Sequence, residues 1–326
     1  MKAIVQNGYG SPDSLELREV DPPAVADDVA LVRIRAASIN AFDWGLLRRL
    51  PHVISRLLGR PASRIRGGDM SGIVEACGRK VSRFRPGDEV FGIARGTFAE
   101  YATTSEARLA LKPHALTFEQ AAAIPVAGCT ALQGLRDTAQ VQAGQRVMIY
   151  GAGGGVGTFA VQIAKALGAH VTALTRTEHM DLLRSIGADH VIDYTREDFT
   201  RRGVRYDLIF DVPGNHPLSA CRRALKPDGR YVLIGHERFG ASGKRVFGLV
   251  PHFLKLILLS RFVKQLRGPG SPMPTRKEAM AILRELLEVG KITPVIDSSY
   301  PLSEVPEAFR YFGTGRVRGK VVISIP

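Results

Sequence analysis

The pattern of apolar and polar positions changes character near residue 146. From there on, short β-branched or aromatic apolar runs at 147–150, 171–174, 190–192, 207–210 and 231–234 alternate with stretches of helical periodicity. Short apolar runs of this kind suit strands buried on both faces, and intervening helices supply right-handed crossovers between parallel neighbours. The stretch therefore predicts a doubly wound α/β domain with a parallel sheet. The chain before it is punctuated differently, with strand-like runs such as Ala30-Leu31-Val32-Arg33-Ile34, turn signals such as Arg85-Pro86-Gly87-Asp88, and little helical periodicity. Those features predict a mostly antiparallel β domain.

Helix punctuation divides the two. Thr117-Phe118-Glu119-Gln120 has the spacing of a capping box and opens an alanine-rich helix leading into the α/β domain, which puts a boundary near residue 124. A second such box, Thr275-Arg276-Lys277-Glu278, follows Pro274 and opens a helix with Ala279, Ile282, Leu283 and Leu286 on one face and Gly290 at its end. Gly268-Pro269-Gly270-Ser271-Pro272 reads as a linker, and 320–323 as a closing strand. The expected domains are 1–124 together with 274–326, and 125–273.

A chain of 326 residues, 45% of them hydrophobic, can bury a sizeable core, which excludes a disordered or collagen-like protein. Three cysteines, Cys77, Cys129 and Cys221, without short spacing argue against a disulfide framework or a CxxC metal knuckle, so a reducing, cytoplasmic setting is expected. No run resembles a signal peptide or a membrane span. The net charge of +14 is local: six arginines and no acid lie between Trp44 and Gly68, and nine Lys or Arg and no acid between Arg238 and Lys277. Such concentration speaks against a chain that coats nucleic acid. It leaves two readings, solvated basic faces or a basic rim able to meet anionic lipid or steer an anionic acceptor. The apolar run 253–259 is too short to span a bilayer and suits a buried or pocket-side helix.

Candidate chemistry centres on Gly151-Ala152-Gly153-Gly154-Gly155-Val156-Gly157, which follows an expected strand and opens an expected helix at 156–167. That context is the one a dinucleotide fingerprint requires, although Ala152 occupies the position of its first glycine. Gly154 would let backbone approach a pyrophosphate and Gly157 would let helix pack on strand, while the helix start at Gly155 and Val156 supplies N–H donors and the positive end of the dipole. No Gly-Lys pair is followed by Ser or Thr, so there is no P-loop, and the GxSxG and HExxH patterns of hydrolases are absent. Eighteen residues beyond Gly157, where NAD-binding chains place an acid for the ribose hydroxyls, stand Thr175 and Arg176. A guanidinium there would pair with a 2′-phosphate, so NADPH is the expected cofactor.

With those residues in view, the chain resembles the medium-chain dehydrogenase/reductase superfamily, in its zinc-independent, quinone-oxidoreductase (zeta-crystallin-like) branch. The similarity runs through Ala37-Ser38-Ile39-Asn40-Ala41-Phe42-Asp43-Trp44, Gly67-Gly68-Asp69-Met70-Ser71-Gly72, Phe84-Arg85-Pro86-Gly87-Asp88-Glu89-Val90, Gly96-Thr97-Phe98-Ala99-Glu100-Tyr101, the glycine loop, Asp189-His190-Val191-Ile192-Asp193-Tyr194 and Gly319-Lys320-Val321-Val322-Ile323. It implies a GroES-like β domain beside a Rossmann domain, with cofactor and substrate in a cleft between them. It further implies that Thr130 and Asn40 face the nicotinamide, that Tyr194 lies near the adenosine phosphate, and that Val212 and the Gly235 region line the nicotinamide pocket by backbone.

Departures from zinc-dependent relatives narrow the expected chemistry. Asn40 and Asp69 stand where those proteins carry a Cys and a His, and only Ala94-Arg95-Gly96 separates the strand ending at Ile93 from Thr97, which leaves no room for a four-cysteine lobe. No metal is expected. Without a Lewis acid to lower an alcohol's pKa, hydride delivery to an already polarised quinone or α,β-unsaturated carbonyl is the easier reaction. Gly45 follows Trp44, so the tyrosine that some zinc-free relatives carry there is missing. Asn40 and Asp43 are the candidate catalytic residues. Asp43 and Asp69 are also readable as strand-end carboxylates that accept only backbone hydrogen bonds, and Trp44 as either a stacking surface or a core residue. The expected activity is NADPH-dependent reduction by a homodimer. A non-enzymatic NADPH-binding or membrane-peripheral protein of the same fold, and an alcohol or aldehyde oxidoreductase, are the alternatives.

Overall fold

The computed structural model describes residues 1–8, 11–48, 65–214, 216–234, 265–266 and 276–326. Gly235, most of both basic segments, the 253–259 run, the 268–272 linker and Thr275 lie outside the described residues. The chain runs through strands β1 (Lys2–Gln6), β2 (Leu15–Glu19) and β3 (Val29–Ser38), helix α1 (Ala41–Arg48), then β4 (Asp69–Cys77), β5 (Glu89–Ile93), β6 (Tyr101–Ser105) and β7 (Leu109–Leu111). Helices α2 (Phe118–Ala122) and α3 (Pro125–Leu132) lead to β8 (Arg146–Tyr150), α4 (Gly155–Ala166), β9 (His170–Thr175), α5 (Met180–Ser185), β10 (His190–Asp193), β11 (Tyr206–Asp211), α6 (Leu218–Ala224) and β12 (Leu225–Leu233). Last come α7 (Arg276–Glu288), β13 (Ile296–Pro301), α8 (Val305–Gly313) and β14 (Lys320–Ser324).

Two compact units result. The first comprises Met1–Ala127, Arg276–Glu288 and Pro294–Pro326, and the second Gly128–Thr275 with Val289–Thr293. In the first, a seven-stranded sheet runs β13-β14-β3-β4-β5-β7 with β6 also paired to β3, and β1 and β2 form a separate antiparallel pair. Every pairing in the large sheet is antiparallel except β13 with β14. Alternate residues of β3 point into a core with Ile4, Met70, Val90, Phe98 and Phe309. The register that matters for chemistry places Ser38 opposite both Asp69 on β4 and Val322 on β14. The start of β4, the end of β3 and the start of β14 therefore converge.

Trp44 belongs to this core. Its ring stacks on Phe309 at a centroid distance of 6.3 Å and tilts against Phe312 at 6.4 Å. A Cβ built at Gly313 would come within 2.4 Å of the indole, so the helix and the ring are fitted to each other. Of the two readings of Trp44, these contacts are the ones that core packing predicts for its partly buried ring.

In the second unit five parallel strands lie in the order β10-β9-β8-β11-β12. The order reverses between β8 and β11, and in open α/β sheets ligands bind beyond the carboxyl ends of strands at such a switch point. Helix α4 is buried from Gly157 to Ala164. The Gln162 side chain donates to the Thr293 carbonyl at 2.9 Å and accepts from the Thr293 N–H at 2.7 Å, which ties the 289–293 segment to this unit.

Two helix expectations change. The capping box at Thr117 is formed by both of its hydrogen bonds, but α2 spans five residues and the chain restarts as α3 at Pro125. Proline has no N–H to continue the ladder and suits a first helical position. On α7 the buried residues are Ala279, Met280, Leu283 and Leu287, while Ile282 and Leu286 are half-buried. The face is rotated because the helix packs on β7 and the turn Glu106–Arg108, a direction periodicity alone does not set.

Candidate functional site

In the first unit, the Asn-x-x-Asp spacing of residues 40–43 is explained by the start of α1. Asn40 precedes the helix and Asp43 is its third residue, whose Oδ2 accepts the Asn40 N–H at 2.9 Å. This is the returning half of a capping box. The Asp43 N–H donates to the Asn40 carbonyl at 3.0 Å, and the Asn40 carboxamide makes its bonds elsewhere. Asp43 is thus a helix-start residue rather than a strand-end one. It is 4% exposed, and burial, opposed by the Asn40 N–H bond, raises its pKa to about 7.

Asn40, Asp69 and Lys320 form a buried polar cluster. Asp69 is fully buried and Lys320 is 3% exposed. The Asp69 Oδ2 accepts from Ser38 Oγ at 3.0 Å, from Asn40 Nδ2 at 2.9 Å and from Lys320 Nζ at 3.2 Å, while Oδ1 accepts the Val126 N–H at 3.0 Å. Lys320 Nζ also donates to Asn40 Oδ1 at 2.6 Å. The reading of Asp69 as a carboxylate served only by backbone is corrected, since three of its four donors are side chains. Its neighbours come from strands far apart in sequence, and their register across β4, β3 and β14 assembles them.

In the second unit the glycine loop lies between β8 and α4, with N–H bonds from Gly151 and Ala152 to the Leu174 carbonyl holding it beside β9. A Cβ at Gly157 would sit 2.2 Å from the Gly151 carbonyl oxygen, so this position admits only glycine at the helix–strand contact. A Cβ at Gly153 would sit 2.0 Å from His179 Nδ1, another close approach that the sequence did not announce. At Gly154, by contrast, the nearest atom is 3.7 Å away. The space above it is open, and Gly155, Val156 and Gly157 lie in the first turn of α4, where N–H groups have no acceptor in the helix ladder. An open surface over Gly154 bordered by helix-start donors fits a dinucleotide pyrophosphate.

Thr175 is buried at the end of β9, and the exposed Arg176 follows it. Arg176 Nε donates to the Tyr194 hydroxyl at 2.6 Å, so two residues read separately from the sequence form one feature. The Tyr194 N–H bonds the Thr175 carbonyl at 3.0 Å, which fixes this pair against the carboxyl ends of β9 and β10. Val212 follows β11 directly and donates its N–H to the Tyr150 carbonyl at 3.1 Å, beside the switch point. Beneath it, Asp211 accepts from Gly214 N–H and Tyr231 hydroxyl, each at 2.8 Å, and burial raises its pKa to about 6. Thr130 is half-buried on α3.

Lys320, Ser38, His179 and the Asp211–Tyr231 pair were not picked out for their side chains. Lys320 carried a signal, a lone cation opening an otherwise apolar strand, but the sequence does not say what it faces.

Residues 26–114 match the family described as the alcohol dehydrogenase GroES-like domain, and residues 186–323 the family described as zinc-binding dehydrogenase. The chain is 34% identical over 338 residues to 2-methylene-furan-3-one reductase of Solanum lycopersicum, covering 99% of this chain and 79% of that one. It is 32% identical to NADPH-dependent alkenal/one oxidoreductase, chloroplastic, of Arabidopsis thaliana, over 99% of this chain and 79% of that one. Among solved structures, the quinone oxidoreductase from Coxiella burnetii is similar with a TM-score of 0.85 and 30% identity, covering 100% of this chain and 99% of that one. The chain belongs to the medium-chain dehydrogenase/reductase superfamily, in its quinone-oxidoreductase branch.

The zinc in one family description does not fit the residues at this site. The oxygens of Asn40 and Asp69 already converge on the Lys320 ammonium, and a second cation there would meet it at close range. Among the described residues no group of three or more His, Cys, Asp or Glu side chains could hold a metal ion.

Proposed function

We propose that this protein uses NADPH to reduce quinones or α,β-unsaturated carbonyls without a metal. The observation that carries this reading is the Lys320 ammonium between Asn40 and Asp69, where a catalytic metal would otherwise act. Alcohol oxidation by such enzymes needs a Lewis acid to acidify the hydroxyl, whereas a conjugated acceptor is already electrophilic. The names of the tomato and Arabidopsis relatives, a 2-methylene-furan-3-one reductase and an alkenal/one oxidoreductase, support the same acceptor class.

A bound NADPH would supply a hydride, so that the acceptor would gain two electrons and, with a proton from solvent at its negative oxygen, be reduced. The backbone of residues 154–157 would hold the pyrophosphate, and Arg176, steadied by Tyr194, would pair with the 2′-phosphate that separates NADPH from NADH. Asn40 offers an N–H donor to the developing oxyanion.

The test is NADPH oxidation by the purified protein with a panel of quinones and enones, run beside NADP⁺ reduction with primary and secondary alcohols. Turnover confined to the quinone and enone arm is the expected result. Turnover only in the alcohol arm, or none with any acceptor, overturns the assignment.

A further inference from the structure

Lys320 has a relationship to Asn40 that an ion pair does not require. A buried ammonium placed only to neutralise Asp69 would make its shortest bond to that carboxylate. Here the order is reversed, 2.6 Å to the neutral amide oxygen of Asn40 and 3.2 Å to Asp69 Oδ2. A cation on the oxygen of a carboxamide draws electron density from its nitrogen and makes the N–H groups better donors. The same contact fixes which way the amide points. Oδ1 must face the ammonium and Nδ2 must face the Asp69 carboxylate, 2.9 Å away, because the opposite flip would set donor against donor and acceptor against acceptor.

The hydrogen inventory then leaves one group over. Of the two Nδ2 hydrogens, one is used on Asp69, and the other has no protein acceptor among the described residues. Asn40 also retains 8% exposure, whereas Asp69 is fully buried and Lys320 nearly so. We propose that Lys320 is a positioning residue that locks and polarises the Asn40 carboxamide, so that its remaining N–H stabilises the oxygen on which negative charge develops during reduction. This rests on the reductase reading above. The residues are 280 positions apart, and the β3–β14 register brings them together.

The experiment compares wild type with Lys320→Met, Asn40→Ala and the combination of both. Removing Lys320 alone leaves Asp69 as an uncompensated buried charge, so Asp69→Asn/Lys320→Met is made in parallel to keep the cluster neutral if the single variant fails to fold. NADPH affinity is followed by nucleotide fluorescence, kcat and KM with one quinone and one enone, and the Asn40 side-chain amide by ¹⁵N NMR. The expected result is a fall in kcat of about a hundredfold in each folded Lys320 variant, the scale of losing one oxyanion donor, with NADPH affinity and KM within about twofold of wild type. Adding Asn40→Ala to Lys320→Met should cost nothing further, and the Asn40 amide signals should shift when the lysine is removed. Unchanged kcat in a folded Lys320 variant, losses that multiply with Asn40→Ala, or an unmoved Asn40 amide would each overturn the proposal. Wild type that turns over no acceptor would instead sink the reductase reading, and the amide signals would still decide whether Lys320 sets the state of Asn40.

Discussion

Arg176 and Tyr194 are joined by a 2.6 Å hydrogen bond from the guanidinium Nε to the phenol oxygen. Only the Nε edge is used, so the two terminal nitrogens of an exposed guanidinium remain available as a fork, the geometry that suits a phosphate. Replacing Arg176 with Ala should weaken NADPH by about 1.5 to 3 kcal/mol and leave NADH nearly unaffected, as read from dissociation constants for both nucleotides. Tyr194→Phe should give a smaller loss of the same selectivity. Equal losses for the two cofactors would exclude a 2′-phosphate contact.

Two glycines of the same loop should respond to alanine in opposite ways. Gly157→Ala places a Cβ 2.2 Å from a backbone oxygen, so the loop and α4 must move apart, and both thermal stability and nucleotide affinity should fall. Gly154→Ala meets nothing nearer than 3.7 Å, so stability should hold while the added methyl crowds the pyrophosphate. Melting temperature with and without NADPH separates the outcomes. A Gly154→Ala protein with wild-type affinity would show that the phosphates lie elsewhere.

Metal content follows from Lys320. Purified protein should carry less than one zinc per chain, and a chelator should leave turnover unchanged. Stoichiometric zinc by elemental analysis, lost together with activity on chelation, would contradict the ammonium as the cation of this cluster.

Acid should favour the fold over part of the pH range. Asp43 and Asp211 have folded-state pKa values of about 7 and about 6, above the ordinary aspartate value of 3.8, because burial disfavours their charged forms. Folded protein therefore takes up protons that the unfolded chain refuses. These two groups contribute stability that is present below about pH 4 and is lost as pH rises through 6 and 7. Asp43→Asn keeps an oxygen for the Asn40 N–H, so α1 should start normally and the upper part of this pH slope should flatten. Thermal unfolding of both proteins between about pH 5 and 8 checks it, and identical slopes would show that Asp43 ionises freely in the fold.

The sequence alone determined the features that depend on neighbours along the chain. Apolar runs separated by helical periods specify parallel crossovers, the glycine loop needs only its own strand and helix, and Thr117 with Gln120 caps a helix three residues away. Arg176 was legible by counting from Gly157. The tertiary structure decided everything that depends on register between distant strands. It set Lys320 against Asn40 and Asp69, brought Tyr194 onto Arg176, moved Trp44 into the core with Phe309, and rotated the buried face of α7. Periodicity tells which positions are apolar and local spacing tells which caps and turns form. The partner of a buried charge is fixed only when sheet pairing sets residues 280 positions apart at hydrogen-bond distance.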